Sequence, residues 1–135
     1  MKSSFDQFCI NVSGLDRSIY FYETVLGFTI THRIEQPGGM NVTEVIFEGD
    51  SGNRLQIACH HDQTGSIDHG NALWKFYVST DDCAGLYKRC IEAGAESMVE
   101  PKRLDAWPVT AAFVKDPDGY QVELLEHHAE TPPNQ

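Results

Sequence analysis

The sequence predicts an α+β domain made of two copies of a βαβββ module. Three observations carry that expectation. Two helical stretches stop at Gly27 and Gly94, 67 residues apart. Two turn glycines that precede alternating strands, Gly52 and Gly119, are separated by the same 67. At that offset Leu55, Gln56 and Ile57 match Val122, Glu123 and Leu124, so helix and strand recur in one order. A fixed period of this kind is the mark of an internal duplication.

The first strand is read over Phe5–Val12. A helix follows over Leu15–Leu26, with Ser13 as its cap and Leu15, Ile19, Tyr22 and Leu26 at helical spacing. Tyr20, Phe21 and Tyr22 read as helix packing, and Gly27 ends the helix. Strands over Phe28–Ile34 and Val42–Glu48 flank the turn Pro37-Gly38-Gly39, and Asp50-Ser51-Gly52-Asn53 leads into a fourth strand, Arg54–Cys59. The second module repeats the order. Its strands are Leu73–Val78, Ser97–Glu100, Val109–Val114 and Gln121–Leu125, and its helix, capped by Asp81 or Asp82, spans Asp82–Ala93. The modules are thus residues 5–59 and 71–126, within one domain over 1–135. A polar connector over 60–70 joins them, and a tail over 127–135, loose from Ala129 through Pro132-Pro133 to Gln135, closes the chain.

Strand parity sorts the side chains into two faces. Phe8, Ile10 and Val12; Leu55, Ile57 and Cys59; Trp74, Phe76 and Val78; and Val122 with Leu124 are expected under the helices. The other phase carries Gln7, Cys9 and Asn11; Gln56 and Ala58; Lys75 and Tyr77; and Gln121, Glu123 and Leu125. That phase fits either a solvated outer face or the wall of a polar cleft, and its mixture of polar, small and apolar residues suits the cleft.

Composition narrows the function. With 135 residues and 41% apolar content the chain is globular, not disordered. A net charge of −10 argues against nucleic acid or an anionic membrane as partner and would suit a cationic ligand. The start, Met1-Lys2-Ser3-Ser4-Phe5, lacks the apolar run of a signal peptide. The cysteines Cys9, Cys59, Cys83 and Cys90 have no metal-binding spacing and read as small buried thiols of a reducing, cytoplasmic compartment. His60, His61 and His69 lie in a connector read as solvated, and His127 and His128 read as surface residues. Arg103 and Trp107 fall in a loop, where they either cover a ligand or cap the core.

Two stretches, "NVSGLDRSIYFYETVLGF" and "AAFVKDPDGYQVELLE", resemble the vicinal oxygen chelate superfamily, which groups glyoxalase I, bleomycin-resistance proteins and extradiol dioxygenases. The resemblance implies paired βαβββ modules forming a U-shaped, eight-stranded cleft, and a homodimer. In metal-dependent members four cleft side chains hold a divalent ion. Carried over by position, they fall on Gln7, Gln56, Lys75 and Glu123. Here the chain departs from the pattern. An ammonium group has no lone pair to give a metal, and Gln56 is neutral where glyoxalase I has glutamate. The expectation is therefore that no metal cofactor is held and that Lys75 supplies the counter-charge to Glu123; a zinc, nickel, iron or manganese ion is the alternative.

Three functions follow from the resemblance. The first is a metal-independent protein that takes a small organic molecule, with Glu123 as base and Lys75 as electrophilic partner in a proton-transfer or lyase step. Asn11 and Tyr77 would orient that molecule beside Gln7, Gln56, Arg103 and Trp107. The second sequesters a drug without chemistry. The third is a metal-dependent glyoxalase I-like lyase or isomerase.

Overall fold

In the computed structural model, which describes residues 1–129, each half of the chain folds a four-stranded sheet with a helix against it. The halves are Met1–Asp68 and the residues from His69 onward. The expected tail lies, from residue 130, outside the described residues.

The first unit contains β1 (Gln7–Asn11), α1 (Leu15–Ile19), β2 (Thr29–Glu35), β3 (Val42–Glu48) and β4 (Arg54–His60), in the sheet order β1-β4-β3-β2. The second contains β5 (Phe76–Ser79), α2 (Cys83–Glu92), β6 (Glu96–Leu104), β7 (Val109–Lys115) and β8 (Gln121–His127), in the order β5-β8-β7-β6. In each sheet the first strand runs parallel to the fourth, and the other pairings are antiparallel. The duplication read from glycine spacing is therefore a duplication of topology. It extends to backbone conformation. Gly27 and Gly94 have φ of 81° and 95°, and Gly52 and Gly119 have 85° and 90°, a region that side chains with a Cβ avoid.

The helices differ from expectation in one respect. After Ile19 the first helix continues as a π-helix over Tyr20–Val25, in which the Leu26 N–H donates to the Phe21 carbonyl. The wider turn rotates the buried face, so Ser18, Phe21, Tyr22, Val25 and Leu26 go inward while Leu15 and Ile19 are half-buried and Tyr20 is exposed. Tyr22 is fully enclosed, stacked on Phe28 and tilted against Phe47. Ser13 does not cap; its hydroxyl instead accepts from the Arg17 guanidinium. Asp82 caps α2 as expected, its carboxylate accepting from the Gly85 N–H at 2.9 Å.

The inner phase is largely as read: Ile10, Val12, Leu55, Ile57, Phe76, Val78, Val122 and Leu124 are buried. Three aromatic or apolar residues expected in strands are not. β5 begins at Phe76, opposite Val122, and β8 starts only at Gln121, so Leu73 and Trp74 precede the ladder and are exposed. Phe8, on edge strand β1, is also exposed. β6 is longer than expected and takes in Arg103. Of the cysteines, Cys83 and Cys90 are buried, Cys59 is half-buried and Cys9 is exposed, and all four are free. Burial pushes the Cys83 and Cys90 thiols up to about 11.

A second repeated device closes each sheet. The His61 N–H donates to the Asn41 carbonyl, and the His128 N–H to that of Pro108. The imidazole Nε2 of each lies against a threonine hydroxyl, Thr43 at 2.8 Å and Thr110 at 2.7 Å. Both threonines and both histidines stand at the 67-residue offset. The connector histidines are thus bonded, not merely solvated. His60 Nε2 meets Asn11 Oδ1 at 3.0 Å, and His69 Nε2 donates to the Asp118 carbonyl at 2.7 Å, holding the turn before β8. Among the described residues no helix is long and apolar enough to cross a membrane.

Candidate functional site

Of the polar side chains singled out from the sequence, Gln7, Asn11, Gln56, Tyr77 and Glu123 share the strand parity opposite to that of the buried Ile10, Ile57, Phe76 and Leu124. In the second unit Tyr77 stands opposite Glu123 in the β5–β8 ladder, and Phe113 stands opposite Glu123 in the β7–β8 ladder. Lys75, one residue before β5, turns its ammonium into this row. Its Nζ donates to Glu123 Oε1 at 2.6 Å, and the two side chains are only 10% and 9% exposed. Three rings surround the ammonium, with centroids 4.1 Å (Trp74), 5.0 Å (Tyr77) and 4.9 Å (Phe113) from Nζ. Ring faces carry partial negative charge and favour the cation. The hydrogen bond it donates to Glu123 holds the Lys75 ammonium above the usual lysine range; desolvation opposes this, and the Tyr77 hydroxyl adds to it.

The first unit holds a neutral counterpart. Phe8 pairs with Leu55, and Phe76 pairs with Val122, so Gln7 and Lys75 occupy equivalent places although 68 residues separate them. Gln7 Nε2 donates to Gln56 Oε1 at 2.8 Å, and Gln56 Nε2 donates to a carboxylate oxygen of Glu44. Glu44, on β3, was missed in the sequence because a glutamate inside an alternating strand looks like an ordinary solvated residue. The row Ile46–Gln56–Cys9 crosses the same face. Although Cys9 as a residue is exposed, partial desolvation of its sulfur raises the thiol, a hydrogen bond with Gln56 lowers it, and the Glu44 charge raises it, with a net upward shift.

Asn11 lies on this face opposite Ala58, with its amide oxygen at the His60 ring. Arg103 does not fall where it was expected. It stands in the row Arg103–Thr110–Glu126, the phase of Val122 and Leu124, and is exposed in β6 rather than in a loop. Trp107, in the turn before β7, is 69% exposed and caps no core.

The residues at the four positions do not suit a divalent ion. Lys75 has no lone pair while charged, and its surroundings favour the charge. Glu123 Oε1 already accepts the ammonium. The one ligating atom of Gln56, its Oε1, is taken by Gln7, and Glu44 holds the amide nitrogen the other way. Among the described residues no three His, Cys, Asp or Glu side chains are grouped to hold a metal.

Residues 4–124 match the Glyoxalase/Bleomycin resistance protein/Dioxygenase superfamily. The chain is 29% identical over 118 residues to the lactoylglutathione lyase of Neisseria meningitidis, covering 87% of this chain and 86% of that one. It is 30% identical over 118 residues to the lactoylglutathione lyase of Salmonella typhimurium, covering 87% of each. Among solved structures, trypanothione-dependent glyoxalase I of Leishmania major is similar at 27% identity and a TM-score of 0.78, over 93% of this chain and 87% of that one. Glyoxalase I of Zea mays shares the fold, with a TM-score of 0.80 at 23% identity over 93% of this chain and 45% of that longer one.

Proposed function

Because the chain belongs to the glyoxalase/bleomycin resistance protein/dioxygenase superfamily, we propose that it binds a small organic molecule against the sheet faces opposite its helices, without the divalent metal of its metal-dependent relatives. The observation that carries this reading is the Lys75–Glu123 pair, 2.6 Å apart and ringed by Trp74, Tyr77 and Phe113. A buried carboxylate needs a compensating charge. Here the ammonium supplies it, and a second cation at the same carboxylate would meet Coulomb repulsion.

The pair also bears on chemistry. A base must be free to take a proton, whereas Glu123 is already engaged by a donor. Binding is therefore favoured over a proton-transfer or lyase step with Glu123 as base and Lys75 as electrophile. In the first unit Gln7, Asn11 and Gln56, and in the second unit Tyr77, are the side chains each face offers for orienting a molecule; Arg103, on the other phase, is left out. A second reading, a metal-dependent lyase, is favoured by the names of the relatives at 29–30% identity.

Turnover of the methylglyoxal–glutathione adduct separates the two. The rate is measured with a chelator and then with added Ni²⁺ or Zn²⁺. The proposal expects no stimulation by metal. It also expects an organic molecule, released on denaturation and identified by mass spectrometry, that Lys75→Met no longer retains. Metal-stimulated turnover abolished in Glu123→Gln would replace the proposal with the lyase.

A further inference from the structure

We infer that the carboxylate meeting the ligand is Glu44, and that the ligand group it takes is a protonated amine. The inference rests on the small-molecule reading above and adds the chemical class to it. Glu44 and Glu123 are the two glutamates on these sheet faces that accept from a residue at the four positions, and their situations are opposite. Glu123 is neutralised at 2.6 Å by Lys75. Glu44 has no such partner: among the described residues no Lys, Arg or His forms an ion pair with it.

The surroundings of Glu44 make that charge conspicuous. It is half-buried, and its cross-strand neighbours on the same face are Ile34 and Ala58, which offer nothing to an anion. One carboxylate oxygen accepts from the Gln56 amide. The other is not sealed off, since the one enclosed side-chain polar atom without a partner among the described residues is the Ser18 hydroxyl. A carboxylate has about four acceptor positions, so one hydrogen bond leaves capacity for a further donor.

Behind it stands a fixed support. Gln7 donates to Gln56, and Gln56 donates to Glu44, so two amides point their N–H groups along one line that ends on the carboxylate. Gln56 itself is 9% exposed, which leaves its rotamer little freedom. A held, half-buried carboxylate without an ion-pair partner is complementary to a group with N–H donors and a positive charge. An ammonium or amidinium meets both conditions; a carboxylate or phosphate ligand would be repelled. The chain's net charge of −10 adds a long-range attraction of the same sign.

The test uses the full chain, ¹⁵N-labelled, and the side-chain amide signals of Gln7 and Gln56. Benzylammonium and butylammonium are the probes, with benzoate and butyrate as opposites. Both ammonium probes should shift the Gln56 signals saturably, and neither carboxylate should. Glu44→Gln should weaken the ammonium affinity about tenfold, the order expected for one charge-assisted hydrogen bond. Glu44→Asp should keep the preference for ammonium over carboxylate, which guards against reading a misfolded variant as a result. Glu100→Gln, exposed in β6, removes one charge elsewhere and should leave the affinity unchanged. Equal ammonium binding by the wild type and Glu44→Gln overturns the inference, as does equal binding of carboxylates or no saturable shift. If a neutral or anionic molecule co-purifies while ammonium probes fail, the small-molecule reading survives and the role of Glu44 falls.

Discussion

Gln7 with Gln56 in the first module and Lys75 with Glu123 in the second occupy equivalent places, yet one pair is neutral and the other ionic. Their neighbours account for the difference. At the places where the second module has Tyr77 and Phe113, the first has Cys9 and Ile46, so no ring faces are available there for a cation. Conversely, the first module has Glu44 where the second has Ala111. A charge beside Gln56 would have to coexist with that carboxylate, and an amide that donates to it is the compatible choice. Duplication has kept the backbone while each module's third strand decides what its fourth can carry.

The largest effect expected from breaking this comparison is at Lys75. Lys75→Met should destabilise the protein by about 3 kcal/mol, because it strands a buried carboxylate. Gln7→Ala, the matching deletion in the first module, should cost about 1 kcal/mol, the value of a neutral hydrogen bond. Urea unfolding measures both. Adding Glu123→Met to Lys75→Met should recover much of the loss, since an apolar pair can replace a buried ionic one.

Gln56→Glu comes next. It sets a second carboxylate against Glu44 and removes a donor, at a cost of about 1–2 kcal/mol. The double variant Glu44→Gln with Gln56→Glu restores one donor and one acceptor and should return close to wild-type stability.

Alkaline pH sharpens the contrast. Lys75 is raised above the usual lysine value in the folded state by its bond to Glu123. Its contribution is therefore fully present below the unfolded value of about 10.4 and is lost as pH rises through the folded one. The urea midpoint of the wild type should fall more steeply above that pH than that of Lys75→Met. The smallest effects are expected at the sheet closures, where Thr43→Val and Thr110→Val should each cost about 1 kcal/mol. Thr43→Val should be the costlier of the two, because the Thr43 hydroxyl also donates to Glu35 Oε2 at 2.7 Å, a bond without a counterpart at Thr110 among the described residues.

Much of this was legible in the sequence because its signals are local. Left-handed glycines, alternating strands and an Asp cap each act within a few residues, so both modules and their order could be read directly. Parity also placed Glu123 and Tyr77 on one face. Glu44 was not legible, because its meaning depends on Gln56, which lies on the neighbouring strand. Trp74 was misplaced because the point where β5 begins to pair is set by the start of β8, 45 residues later in the chain at Gln121 counted from Phe76. Arg103 was placed in a loop because the sixth strand was ended at Glu100, before Pro101, whereas β6 runs on to Leu104 through two register shifts that a regular alternation does not reveal.

Native mass spectrometry of the wild type and Lys75→His, purified without chelator and titrated with Zn²⁺ or Ni²⁺, tests the central claim most directly. Replacing the ammonium by an imidazole gives a lone pair beside Glu123, so the variant should gain affinity for one ion per chain while the wild type holds none tightly. A wild type that already carries one tightly bound ion per chain, lost in Glu123→Gln, would show that Lys75 does not stand in for the metal.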